Sequence, residues 1–202
     1  MDSIKIENFI KVLKEKNVSL FTLDDISKLF NVGLPNLKIS LGRFRRKGIV
    51  SRLAKNRYLF ELATKVPSQY KIANFIYQPS YISLETAMSL NGTIDQFPYS
   101  ITSVTYRKSK EIVYKDLVFN FTRVNKDLFT DYQKQDDYLI ASNQKAIFDY
   151  FYLAFKNSRS KSNLGLINLD EKGIKKLIRY IKDQKMKNKS KFISYIKNNY
   201  DN

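Results

Sequence analysis

Four cations crowd one short stretch of this chain, Arg43, Arg45, Arg46 and Lys47, and Lys55 and Arg57 follow soon after. Arginine pairs bidentately with guanine or phosphate, asparagine pairs with adenine, and lysine and serine reach phosphate oxygens. Asn36, Lys38, Ser40 and Asn56 lie in the same region. The chemistry these residues suit is recognition of a polyanion, not bond making. Elsewhere the side chains that make and break bonds are missing or badly spaced. The 202 residues include no Cys and no His, which excludes disulfides, thiolate or imidazole zinc sites, and Ser–His or Cys–His nucleophiles. Asp136 and Asp137 are adjacent, so they diverge by about 100° on a helix or point to opposite faces of a strand. They read as a solvated loop, not a metal pair. The six glycines are scattered and form no phosphate-binding or dinucleotide-binding pattern. The expectation is a protein that is not an enzyme and uses no cofactor. A nuclease whose carboxylates converge from distant segments remains as a further class.

The elements around the basic residues set their geometry. A first helix is expected from Ser3 to Lys16, with Ile6, Phe9, Ile10 and Leu13 as its buried stripe. Thr22 caps a second helix, with Asp25 at the position of a capping box and Asp24 beside it. Asn31-Val32-Gly33 is the turn, with Gly33 best able to take positive φ. Pro35 suits the first turn of a third helix, Leu34 to Lys47. On that helix Leu34, Leu37, Leu41 and Phe44 are expected to pack inward. Asn36, Ser40, Arg43 and Lys47 form one outward row, and Pro35, Ile39, Gly42 and Arg46 run beside it. Gly48 stops the helix, and strands at Ile49–Leu53 and Tyr58–Leu62 follow. This order, two helices, a basic helix and a β-hairpin, reads as a winged helix-turn-helix over residues 1–65. The basic helix is then the groove reader and Ala54-Lys55-Asn56-Arg57 the tip of the wing. The expected DNA contacts are Asn36, Lys38, Ser40, Arg43, Arg46, Lys47, Lys55, Asn56 and Arg57. A winged helix used for protein contacts is the competing reading of this segment.

The charge distribution agrees with that division. Of the formal +17, residues 1–65 carry +8, residues 66–155 are neutral with nine cations and nine anions, and residues 156–202 carry +9. In the first segment the charge coincides with the DNA-binding pattern and points to a polyanion partner, whereas for the tail simple solvation of a lysine-rich chain is the competing reading. The hydrophobic fraction, 43%, is enough for a buried core. No segment approaches ~18 consecutive apolar residues and the N-terminus lacks a signal-peptide core, so a cytoplasmic protein is expected.

In the neutral block a linker around Pro67 and Pro79 leads into a short helix. Ser83 is expected to cap a helix from Leu84 to about Leu90 that Asn91-Gly92 stops. Ser100–Tyr106 and Leu117–Val124 read as paired strands, and Tyr138–Ala141 as a third. Ser142 or Asn143 caps a helix to Phe155 whose apolar face is Ala146, Ile147, Tyr150, Phe151, Ala154 and Phe155. Lys145 and Asp149 lie one turn apart on it and are expected to pair. Together these elements give an α+β fold class: an N-terminal winged helix-turn-helix and, over residues 66–202, a mixed α/β domain with a basic helical tail.

Three motifs across residues 20–155 resemble one family. They are LGRFRRKGIVSRLAKNRYLF, PSYISLETAMSLNG with Gln96 following, and NQKAIFDYFY with Lys145 and Asp149. In this order they resemble the AbiEi antitoxins, with Gln144 standing where the family usually has glutamate. The resemblance implies an antitoxin of a bicistronic toxin–antitoxin system linked to abortive phage infection. It implies a winged helix that binds inverted repeats in double-stranded DNA of its own promoter and represses transcription. It further implies a functional partner, a nucleotidyltransferase-like toxin, neutralised through the C-terminal domain without a required stable complex. The neutralising residues are unassigned, Lys145 and Asp149 being the candidates. An effector-responsive winged-helix regulator without a toxin partner is the alternative.

Residues 156–163 read as a polar linker. Asp170 then caps a helix with Ile174, Leu177, Ile178 and Ile181 on one side and Lys172, Lys175, Lys176, Arg179 and Lys182 as a basic band. A second short helix carries Phe192, Ile193 and Ile196. This tail is either a docked helix with a solvated lysine face or a second polyanion contact. A membrane-surface helix fits less well, because the apolar face holds no Trp.

Overall fold

A computed structural model describes residues 4–156, 167 and 169–200. The chain divides into two compact units, Met1–Ile76 and Tyr77–Asn202, so the short helix before residue 77 belongs with the first. Both units mix helices with sheet, and the fold class is α+β.

The first unit opens with α1 (Ile6–Glu15), β1 (Leu20–Thr22), α2 (Leu23–Phe30) and α3 (Leu34–Arg46). A hairpin of β2 (Val50–Ala54) and β3 (Arg57–Phe60) follows, then α4 (Gln69–Ile76). The strands form an antiparallel sheet in the order β1-β3-β2. Phe9 and Leu13 of α1, Ile26 of α2, Leu37, Leu41 and Phe44 of α3, and Val50 and Phe60 of the hairpin close one core. Phe9 sits at its centre, with ring centroids 4.7 Å from Phe44 and 5.7 Å from Phe30. The expected capping box is present. Thr22 Oγ1 accepts from the Asp25 amide at 3.2 Å and Asp25 Oδ2 accepts from the Thr22 amide at 2.8 Å.

Two local expectations are corrected here. Asn31, not Gly33, takes the left-handed conformation, with φ 50°. Asparagine tolerates this region, and the position just after the helix is where it is needed; Gly33, at φ −61°, instead leads into α3. Leu34 is 39% exposed, because the first turn of α3 precedes the point where the helix meets the core.

The second unit is built on a six-stranded sheet. Its strands are β4 (Tyr81–Ile82), β5 (Ile101–Thr105), β6 (Lys110–Tyr114), β7 (Leu117–Arg123), β8 (Tyr132–Gln135) and β9 (Tyr138–Ala141). Their order is β6-β7-β5-β4-β9-β8, with β5·β7 and β4·β9 parallel and the other pairs antiparallel. Helix α5 (Leu84–Leu90) and helix α6 (Asn143–Lys156) pack on each other and on the sheet, and α7 (Glu171–Asp183) and α8 (Lys189–Tyr200) pack on α6. A 3-10 turn spans Lys126–Leu128. Asp136, at φ 51°, and Asp137 form the turn between β8 and β9. Among the described residues no group of three carboxylates is placed to hold a metal.

Helix α7 is a docked helix. Leu177 and Ile181 are buried and Asp170 caps the first turn, accepting from the Gly173 amide at 2.7 Å. Lys172, Lys175, Lys176, Arg179 and Lys182 are all exposed. Of the expected linker, Lys156 ends α6, and residues 157–163 lie outside the described residues. Among the described residues no helix is long and apolar enough to cross a membrane.

Candidate nucleic-acid interface

Helix α3 buries Leu37, Ser40, Leu41 and Phe44. These positions follow the i, i+3, i+4, i+7 rule, so the opposite face is fixed as Pro35, Lys38, Ile39, Gly42, Arg45 and Arg46. Pro35, Lys38, Ile39, Arg45 and Arg46 are exposed, and a Cβ built on Gly42 meets nothing within 4 Å. Ile39 is 64% exposed, a large apolar side chain left outward in the middle of a basic face.

A groove of about 410 Å³ runs between this face and the hairpin. Lys38, Gly42 and Arg45 line it from the helix, and Arg52, Lys55, Asn56 and Tyr58 from the strands and their turn. Its lining holds four cations and no carboxylate. The hairpin is held in place beside the helix. Asn56 takes φ 60° at the turn, and its carbonyl accepts from the Leu23 amide at 3.2 Å, tying the tip to the start of α2. Arg52 is exposed between the buried Val50 and Leu53 of β2, next to a register shift in the strand, and its Nε donates to the Ala54 carbonyl at 3.3 Å.

The nine expected contact residues separate in this geometry. Lys38, Lys55 and Asn56 line the groove, and Arg46 lies exposed on the same helix face. Lys47 is exposed at the end of α3. Asn36 and Arg43 are half-buried at the flank of the helix. Arg43 turns back along the helix, Nη2 donating to Ser40 Oγ at 3.4 Å. Arg57 lays its guanidinium 5.0 Å from the centroid of Phe75 in α4, which draws it from the hairpin tip. Ser40 is a correction. It is fully buried, because it stands three residues after Leu37 and four before Phe44 and shares their stripe. Two groove residues were missed. Arg45 belongs to the basic cluster but not to the expected contact row. Arg52 shares the parity of the buried Val50, with a register shift between Arg52 and Ala54 breaking the alternation, so period two gives no signal for it.

The candidate pair in the second unit is of another kind. Lys145 and Asp149 are both fully buried. Lys145 Nζ donates to Asp149 Oδ1 at 2.6 Å and to the Leu128 carbonyl at 2.7 Å. Asp149 Oδ2 accepts from Tyr81 Oη and from Ser83 Oγ, each at 2.9 Å. Ser83 stands at the start of α5 but makes no cap there, since its hydroxyl is given to Asp149. Burial pushes the Asp149 carboxyl above its ordinary range, against the pull of Lys145 and the two hydroxyls. Burial, then the neighbouring carboxylate, pushes the Tyr81 phenol up. This network joins β4, α5 and α6 inside the unit. The expected pairing of Lys145 with Asp149 is present, and with both side chains fully buried it forms an internal clamp.

No known family model matches the chain, and no curated protein matches it.

Proposed function

We propose that the first unit is a winged helix-turn-helix that binds double-stranded DNA, with the outward face of α3 in the major groove and the β2–β3 hairpin against the phosphate backbone. The observation that carries the reading is the groove between helix and hairpin, with Lys38, Arg45, Arg52 and Lys55 and no acidic side chain in its lining. Gly42 supports it, because a helix face without a side chain at its middle lets base edges approach closely. For the chain as a whole we propose an AbiEi-type antitoxin that represses its own promoter through inverted repeats and counteracts a nucleotidyltransferase-like toxin. That part is supported by the three motifs in residues 20–155 and by their order.

The test is fluorescence anisotropy of the full chain on its own upstream DNA against scrambled DNA at near-physiological salt. Preference for the upstream fragment is expected. Arg45→Ala/Arg46→Ala should weaken it by at least about tenfold and flatten the dependence of log affinity on log salt by up to about 2. Ser40→Ala should leave both unchanged. Equal, salt-sensitive binding to both fragments would remove the sequence-specific reading. The arginine variant should still relieve growth arrest when co-expressed with the toxin encoded beside it. Lost protection at normal protein level would break the proposed division of labour.

A further inference from the structure

The second unit holds a cavity of about 520 Å³ lined by Tyr106, Arg123, Val124, Asn125, Lys126, Tyr152 and Lys156. It lies at the carboxyl ends of the parallel pair β5 and β7, where Thr105 pairs with Arg123. Parallel strand ends are where open α/β sheets gather ligands, since the chain turns away there and leaves a crevice. Three cations converge on it from separate elements: Arg123 at the end of β7, Lys126 in the 3-10 turn and Lys156 at the end of α6. No carboxylate lines it. Residues 66–155 carry nine cations and nine anions, and two of those cations, Arg123 and Lys126, meet here with Lys156, so charge is segregated at this cavity. Like charges drawn from three elements into one cavity repel each other unless an anion screens them.

Two aromatic rings complete the site, and each is braced. Tyr152 stacks on the buried Phe148 with centroids 5.8 Å apart and planes 7° apart. Tyr106 meets Phe129 edge-on at 5.1 Å, and Lys126 Nζ lies 6.0 Å from the Tyr106 centroid. Arginine and lysine suit phosphate, while a fixed tyrosine ring suits a base. A volume in the range of ordinary small-molecule pockets has room for both parts at once.

We infer that this cavity binds a nucleotide, its phosphates on Arg123, Lys126 and Lys156 and its base against Tyr106 or Tyr152. The ligand is a free nucleotide or one nucleotide unit of a single strand, which share this chemistry. The inference concerns the second unit alone and does not rest on the DNA reading of the first.

Titration calorimetry of the full chain with ATP and CTP tests it, with inorganic triphosphate, adenosine and a short single-stranded RNA as comparisons. ATP or CTP should bind more tightly than triphosphate or adenosine. Arg123→Ala/Lys126→Ala, both exposed positions, should weaken that binding by at least about tenfold. Tyr152→Phe should retain it and Tyr152→Leu should lower it. Arg45→Ala/Arg46→Ala should leave it unchanged, which separates this site from the groove of the first unit. A mononucleotide at least as tight as the RNA assigns a free ligand; tighter RNA, lost in the Arg123/Lys126 variant, assigns a strand. Absence of binding, triphosphate as tight as ATP, or binding untouched by Arg123→Ala/Lys126→Ala would each overturn the proposal.

Discussion

Lys145 and Asp149 illustrate what burial does to an ion pair. Removing two charges from water is costly, so the pair holds only with its remaining hydrogen bonds made, and here Leu128, Tyr81 and Ser83 make them. The two partners are not equivalent. Without Lys145, Asp149 keeps two hydroxyl donors and can take up a proton. Without Asp149, the Lys145 ammonium keeps only one carbonyl among the hydrogen bonds described above. Lys145→Met should therefore destabilise the protein by about 3 kcal/mol, and Asp149→Leu by more. Denaturant unfolding measures both. The Lys145→Met loss should also depend on pH. Deleting the ammonium removes the one charge that lowers the Asp149 carboxyl and so raises it further. A group raised in the folded state contributes most below its unfolded value, and that contribution is lost as pH rises through the folded value. The deficit should thus be greatest at neutral pH and shrink as pH falls toward the ordinary aspartate range near 3.8. A deficit that grows on acidification would show that Asp149 does not take up the proton.

At the scale of elements, α3 is the informative case. Gly42 sits inside a helix, where glycine is about 1 kcal/mol less favourable than alanine, and nothing within 4 Å would meet an added Cβ. Gly42→Ala should raise unfolding stability by about 0.5–1 kcal/mol, and Gly42→Glu should abolish the proposed DNA binding while the fold persists. A destabilising Gly42→Ala would mean that the helix backbone there is already engaged. The same helix shows what the sequence makes legible. Its extent and the burial of Leu37, Leu41 and Phe44 follow from the sequence, but which polar row faces outward does not. The row through Asn36, Ser40, Arg43 and Lys47 has the same spacing as a buried stripe, and at Ser40 it runs into one, because a small hydroxyl fits where Leu37 and Phe44 converge. Strands β1 and β4 escaped notice because they span three and two residues, too few to show an alternation. Strand β8 is exposed throughout and β6 buries no residue fully, so neither shows a buried stripe; their place is set by pairing with β9 and β7. The cavity proposed to hold a nucleotide was illegible for a related reason. Its residues come from three segments, Tyr106 after β5, residues 123–126 and the last turns of α6, that only the fold brings together.

For the whole molecule, charge is the dominant global quantity. A formal +17 on 202 residues opposes compaction through self-repulsion. The exposed ion pairs Lys11–Glu15 and Lys175–Glu171 are solvent-screened and offset little of it. Raising salt from about 10 mM to about 150 mM shortens the screening length from roughly 30 Å to 8 Å, so the melting temperature should rise. Scanning calorimetry in buffers of matched pH measures this, and a fall would mean that attractive pairs outweigh the repulsion.

The order of the strands also bears on how the chain is made. The first unit closes its three-stranded sheet with β3, early in the chain, whereas Tyr81 reaches its partner Asp149 only sixty-eight residues later. Strand β4 likewise waits for Ile140 to pair with Ile82. As the chain leaves the ribosome from its N-terminus, the basic groove is therefore complete while the clamp of the second unit is still being synthesised. A nascent chain gains its basic groove before it gains its second domain.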